Sequence, residues 1–243
     1  MNYKSLIVKE NEKLAEGIYK LTLYGEYDVL PGQFFMLKSW DKEPILSRPL
    51  SVHDYDNKKI SFIYQVRGAG TNYFSMLKKG DFVKATGPLG NGMDTTKIKG
   101  KVALVGGGVG TAPLAYFAKI INAEVDVYFG FRDESYGIDG LKDKVKNIYI
   151  ATESGKEGHK GYVTDIFNPF DYNLVIACGP DGLMEKVKEI CIKTATPIYL
   201  LLEKNMACGV GACLVCTCKT KDGMKRVCKD GPVFKGEEVL FDA

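Results

Sequence analysis

Residues 101–121 read KVALVGGGVGTAPLAYFAKII: a strand-length apolar run, a turn carrying four glycines, and a segment with helical periodicity. The same rhythm continues downstream. Apolar runs recur at Val125–Phe129, Ile148–Ala151, Leu174–Ala177 and Ile198–Leu202. Longer connections separate them, and two of these, Leu114–Ile121 and Leu183–Ile192, have the 3.6-residue apolar period of a helix. Strands that are apolar at nearly every position, alternating with helical segments, imply a parallel sheet covered on both faces. Residues 99–202 are therefore expected to form an α/β nucleotide-type domain.

The chain upstream has a different rhythm. Short runs at Ile18–Leu23, Phe34–Leu37, Pro49–Val52, Ile60–Val66 and Asp81–Ala85 are separated by turn residues such as Pro31-Gly32. Several β-rich segments at this spacing predict a barrel over residues 1–98, with one short helix at Tyr73–Leu77. The boundary falls near Lys97–Gly100. Beyond Glu203 the pattern breaks into a cysteine-rich tail, residues 203–243, too small to hold a core of its own without a metal or cross-links.

Composition narrows the function classes. The 243 residues carry 33 basic and 30 acidic side chains, a net charge of +3, and no long basic run, which argues against nucleic acid as a partner. The longest uncharged stretch, Val102–Ala118, is short for a membrane span and is interrupted by glycines and Pro113, so no membrane is expected. The N-terminus lacks the apolar core and cleavage site of a signal peptide, which makes the cytoplasm the expected location. In that reducing compartment the seven cysteines are not expected to pair as disulfides.

Five of those seven cysteines fall within 21 positions: Cys208, Cys213, Cys216, Cys218 and Cys228. The spacing C-x4-C-x2-C followed by a distant cysteine is the plant-type arrangement for a [2Fe–2S] cluster. Gly209 and Gly211 suit a loop that must turn tightly and aim backbone N–H groups at sulfur. Cys218 is a fifth thiol where four suffice. If residues 214–219 form a strand, Cys216 and Cys218 share a face and either could ligate, although the spacing favours Cys216. A tetrathiolate zinc site is the alternative; its usual paired C-x2-C knuckles are not what this tail presents.

Three further constellations bear on cofactors. Arg48-Pro49-Leu50-Ser51 starts a strand, where an arginine fork suits a pyrophosphate and a serine hydroxyl can reach a flavin ring edge. Ile63-Tyr64-Gln65 follows, then Gly70-Thr71, which opens the short helix and can hold phosphate on free N–H groups. The turn Gly106-Gly107-Gly108-Val109-Gly110-Thr111 lets backbone approach a second pyrophosphate, although it departs from the usual dinucleotide fingerprint because Thr111 stands at the third glycine position. Cys178-Gly179-Pro180 ends the fourth parallel strand, where a small thiol and a glycine leave room for a flat nicotinamide ring.

In this order the motifs resemble the ferredoxin–NADP reductase superfamily, and within it the electron-transfer subunits of class 1B dihydroorotate dehydrogenase. The match covers nearly the whole chain. The superfamily pattern Arg-x-Tyr-Ser is here Arg48-Pro49-Leu50-Ser51, the form seen in those subunits, and Cys228-Lys-Asp-Gly-Pro-Val-Phe234 strengthens the narrower match. The resemblance implies FAD held by Arg48 to Ser51, Ile63 to Gln65, and Gly70 with Thr71. It implies a [2Fe–2S] cluster on Cys208, Cys213, Cys216 and Cys228, and NAD as the nicotinamide cofactor. Residues alone leave NAD and NADP open, because Arg132, Asp133 and Glu134 offer both a phosphate-binding cation and ribose-binding acids. The implied activity is oxidoreductase: electrons from dihydroorotate, oxidised on an FMN-containing catalytic partner, pass through the cluster and FAD to NAD⁺ in pyrimidine (UMP) biosynthesis. The assembly would be a heterotetramer of two of each chain. The alternative is an NAD(P)H-linked reductase subunit serving ferredoxin, a hydrogenase or a sulfur compound. Neither His53 nor His159 is expected to act as a catalytic base.

Overall fold

The computed structural model describes residues 2–241. Its first half is one antiparallel sheet of seven strands: β1 (Asn2–Ala15), β2 (Ile18–Tyr24), β3 (Phe34–Lys38), β4 (Arg48–Ser51), β5 (Asp54–Asp56), β6 (Lys59–Gln65) and β7 (Phe82–Leu89). They are ordered β4-β3-β7-β1-β2-β6-β5, and the sheet curls until β4 comes beside β6. Alternation puts Leu21 and Leu23 of β2, and Phe62 and Tyr64 of β6, inside with Phe35 and Val83. Phe35 meets Phe62 edge-on at 5.6 Å, the favoured geometry for an aromatic pair.

Helix α1 is Ala69–Ser75, four residues earlier than the apolar spacing of Tyr73, Phe74 and Leu77 predicts at its start. Gly68, in extended backbone, caps it, and the Thr71 hydroxyl accepts from the N–H groups of Arg67 and Gly68. Local capping fixed that helix start, not the apolar period.

The second half is a sheet of β8 (Lys101–Gly107), β9 (Glu124–Phe131), β10 (Asn147–Thr152), β11 (His159–Lys160), β12 (Leu174–Cys178) and β13 (Ile198–Leu201). Its order is β11-β10-β9-β8-β12-β13, all parallel. On β8, Val102 and Leu104 face helix α2 (Thr111–Ile120), while Ala103 and Val105 face helix α3 (Asp181–Lys193). Both faces are covered, as the continuous apolar runs require. The order reverses at β8, leaving a crevice between the C-terminal ends of β8 and β12, where open α/β sheets bind ligands.

The tail contributes the hairpin β14 (Thr217–Thr220) and β15 (Gly223–Arg226), the one-turn helix α4 (Val227–Asp230), and β16 (Val233–Lys235). Strand β16 pairs antiparallel with β13, and Val227, Cys228, Phe234 and Val239 join the core beneath α3. The tail borrows the hydrophobic core of the α/β half. Residues 214–219 do not form one strand: Leu214 sits at φ +61°, which no strand residue adopts, and β14 begins at Thr217. Cys216 lies in the loop and Cys218 in β14, so the two do not share a strand face.

Helix α2 locks the halves together. Tyr116 donates to the Val29 carbonyl (3.1 Å) and packs in the barrel core. Lys119 pairs with Asp54 at 2.7 Å. His53 Nδ1 lies 3.1 Å from the Ala112 carbonyl, and burial drives its imidazole down to about 4. The unfolded chain therefore binds a proton near pH 6.5 that the folded chain refuses until about pH 4. Stability contributed above pH 6.5 is lost as pH falls towards 4, by roughly 2 kcal/mol at pH 5. Urea unfolding at pH 7 and pH 5 is expected to show this loss in the natural chain and a smaller one in His53→Gln. Equal losses in both would show that His53 is not the titrating group.

Candidate functional site

A cleft of about 470 Å³ opens between the barrel and the α/β half. Pro49, Leu50 and Ser51 of β4 and Ile63, Tyr64 and Gln65 of β6 form one wall. Val109, Ala112 and Pro113, at the start of α2, form the opposite wall. Residues 202–206, leaving β13, close the floor. Tyr64 donates to Asn11 Oδ1 (3.2 Å) and stacks on Tyr19 at 5.7 Å, which holds β6 in place.

Arg48 opens β4, directly before the lining residues Pro49, Leu50 and Ser51. Its guanidinium stacks over Trp40 (5.5 Å) and donates to the Leu46 carbonyl (2.6 Å). A Cβ on Gly70 would lie 2.7 Å from Arg48 Nε, so glycine is required for Arg48 to cross the start of α1. The structure thus brings Arg48 of β4 and Gly70 of α1 together across the intervening β5 and β6. Thr71 lines the cleft, but its hydroxyl is already used within α1, so only its backbone is free to serve a ligand.

On the other side, Cys178 and Gly106 are paired across β12 and β8, and a Cβ on Gly110 would lie 2.6 Å from Gly179 Cα. The two glycine turns touch. Gly107 and Pro180 meet in the same place, since a Cβ on Gly107 would lie 3.2 Å from Pro180. Gly108 adopts φ +56°, and the Thr111 hydroxyl donates to its carbonyl at 2.9 Å. Cys178 Sγ lies 3.9 Å from Glu203 Oε1. Burial raises both the thiol and the carboxyl, so both are protonated more readily than usual, and the Arg67 charge opposes the shift at Glu203. Glu203 is accessible to water yet surrounded by protein on the cleft floor, and the surrounding protein sets its titration.

Sequence reasoning missed Glu203 and Arg67, both of which line the cleft. Glu203 follows the C-terminal end of a parallel strand, a position that marks ligand sites in such sheets. Arg67 has no comparable signal.

The cleft floor runs directly into the cysteine loop: Met206 lines the cleft and Cys208 follows two residues later. Gly209, at φ +70°, packs against Met36 and Leu89 of the barrel. Cys208 Sγ accepts from the N–H groups of Val210 and Cys213, both at 3.4 Å, and these bonds lower the thiol to about 6. Cys216 Sγ accepts from Cys228 N–H at 3.4 Å. Each of these two sulfurs thus accepts from the backbone of a later cysteine of the tail, and an all-thiolate set of four suits an iron–sulfur cluster. Cys218 is turned into the core, 6% exposed.

Among the described residues no helix is long and apolar enough to cross a membrane. A barrel with an arginine-lined cleft, a parallel sheet with a glycine turn at its switch point, and a cysteine loop against both define a flavin- and nicotinamide-linked reductase of the ferredoxin-reductase fold. The pattern of the iron–sulfur cluster binding domain of dihydroorotate dehydrogenase B matches residues 203–240. Two relatives are named "Dihydroorotate dehydrogenase B (NAD(+)), electron transfer subunit". That of Clostridium acetobutylicum is 53% identical, with 97% of this chain and 96% of the relative covered. That of Clostridium perfringens is 47% identical, with 99% of each covered. The chain belongs to this family of electron transfer subunits, which places it beside a catalytic subunit. A solved NADH-dependent reduced ferredoxin-NADP oxidoreductase superposes with a TM-score of 0.87 at 28% identity, covering 97% of this chain and 89% of that one.

Two outcomes are expected from substitution. Cys228→Ser should lose the visible absorbance of the cluster while Cys218→Ser retains it; the reverse would exchange their roles. Arg48→Ala should weaken FAD binding about ten- to a hundredfold in a folded chain, the loss expected for a charge-assisted phosphate contact. Unchanged FAD affinity, read by flavin fluorescence, would remove Arg48 from the site.

Proposed function

We propose that this chain carries electrons between the FMN of a dihydroorotate-oxidising partner and NAD⁺, within a heterotetramer that holds two copies of each subunit. The observation that supports this reading most is the loop 203–208, which joins the flavin cleft to the first cluster cysteine without a break. Arg48, Pro49, Leu50 and Ser51, with Ile63, Tyr64 and Gln65 and with Gly70 and Thr71, are the residues proposed to hold FAD. Gly106, Gly107, Gly108, Gly110 and Thr111, with Cys178, Gly179 and Pro180, are proposed to receive NAD(H). Cys208, Cys213, Cys216 and Cys228 are the proposed cluster ligands. When bound, the flavin supplies the exchange between one-electron carriage by the cluster and two-electron hydride transfer to nicotinamide.

The protein's own task is placement. Ser51 and Gln65 line the wall against which a flavin edge would rest, and Cys178 with Glu203 bounds the side from which nicotinamide would approach. The backbone N–H groups of Val210, Cys213 and Cys228 aim polarity at the sulfurs of Cys208 and Cys216.

Assaying the components separately and mixed tests the proposal. The chain alone is expected to oxidise NADH with an artificial acceptor and to form no orotate. Mixed with an FMN-containing dihydroorotate dehydrogenase subunit, it is expected to couple dihydroorotate oxidation to NAD⁺ reduction. Orotate formation by the chain alone, or failure of the mixture to couple, would overturn the proposal.

A further inference from the structure

The connection from β9 to β10 contains no α-helix and instead folds back over the nucleotide turn. Ser135 anchors it, donating from its backbone N–H (2.9 Å) and its hydroxyl (2.8 Å) to Glu157. Gly137 then passes against the barrel at φ +70°, where a Cβ would lie 2.5 Å from Ile63 Cδ1. Only glycine allows that approach. Between these two fixed points stands Tyr136, its ring set edge-on to Phe131 at 4.8 Å. Its hydroxyl reaches to within 3.9 Å of the point where a Cβ on Gly108 would stand. Burial pushes the phenol up to about 12 and the nearby Arg67 charge works against that rise, so at neutral pH it is a proton donor beside a cation.

Arg67 comes from the other half of the molecule, on the loop between β6 and α1, and lines the cleft. Its Nε donates to Gln65 Oε1 at 2.7 Å, which orients the fork by one of its five N–H groups. It lines the same cleft as Val109 of the glycine turn and Glu203 of the floor. A hydroxyl from the α/β half and a guanidinium from the barrel half thus flank a turn whose φ +56° glycine leaves its surface open.

We infer that Tyr136 and Arg67 are positioning residues that clamp the pyrophosphate of NAD(H) over the Gly108 turn, one from each half of the cleft. The chemistry they recognise is a dinucleotide pyrophosphate, which FAD also carries. Arg48, stacked across the start of α1, already offers the flavin a guanidinium of its own. The inference rests on assigning the Gly106–Thr111 turn to NAD(H).

The test uses the purified chain loaded with FAD and cluster, oxidising NADH with ferricyanide as acceptor. Arg67→Ala is expected to raise KM for NADH about tenfold or more, and Tyr136→Phe about three- to tenfold, with kcat retained. Arg67→Lys should recover part of the loss, since lysine keeps the charge and loses the fork. Inhibition by ADP-ribose, which keeps the pyrophosphate, should weaken in step with KM, while inhibition by adenosine should not change. KM within twofold of the natural chain in both variants would overturn the clamp. So would loss of FAD from Arg67→Ala, which would give that guanidinium to the flavin. Gly108→Ala separates the two levels: a raised KM there with Arg67→Ala and Tyr136→Phe unaffected overturns only the clamp, whereas an unmoved KM in a folded, FAD-replete Gly108→Ala overturns the assignment of the turn itself.

Discussion

The whole arrangement depends on helix α2 being held by both halves of the molecule at once. One face of the helix covers the parallel sheet through Leu114, Phe117 and Ala118. The other reaches the barrel through Tyr116, through Lys119 on Asp54, and through the Ala112 carbonyl beside His53. The N-terminus of that helix is the glycine turn, so its placement sets the width of the cleft. Because the Lys119–Asp54 pair is largely shielded from water, removing one partner would cost more than the small value of an exposed pair. Buried His53, kept neutral, contributes packing and one directed contact without bringing a charge into the joint.

The second constraint is that the cysteine loop has no core of its own. Phe234 on β16, with Val227 and Cys228, completes the apolar layer under α3, and β16 extends the sheet by pairing with β13. This attachment fixes the loop relative to the cleft, and the packing of Gly209 on Met36 and Leu89 fixes it relative to the barrel. An electron carrier built this way needs no moving part between its two proposed centres. Barrel, sheet and tail meet at the junction between the cleft and the cysteine loop.

How much of this was legible in the sequence follows from the range of the interactions. The iron–sulfur character of the tail was legible because thiols that share a cluster must obey chain geometry, and the family pattern over residues 203–240 agrees with it. The two glycine turns were legible because close backbone approach excludes any side chain, as Gly110 against Gly179 demonstrates. The parallel sheet followed from apolar runs buried on both faces. The span of α1 was only half legible: Gly70-Thr71 marked where it opens, but the apolar period put it at Tyr73–Leu77, whereas it runs Ala69–Ser75 with the Thr71 hydroxyl holding its first turn. The positive φ of Leu214, which keeps residues 214–216 out of β14, was equally hidden, because nothing in a leucine side chain announces it. Arg67 and Tyr136 were invisible because their neighbours come from distant segments, and a lone arginine or tyrosine in a loop carries no pattern. Glu203 had a signal, its place after the C-terminal end of a parallel strand, that went unused.

The central claim is that the cluster loop and the flavin cleft form one electron path within this chain. Electron paramagnetic resonance on the purified chain, loaded with FAD and iron–sulfur, anaerobic and without any partner subunit, tests it most directly. On addition of NADH the account predicts the signal of a reduced [2Fe–2S] cluster, which can arise here only through the cleft. Bleaching of the flavin by NADH with the cluster left oxidised, while dithionite reduces it fully, would contradict it.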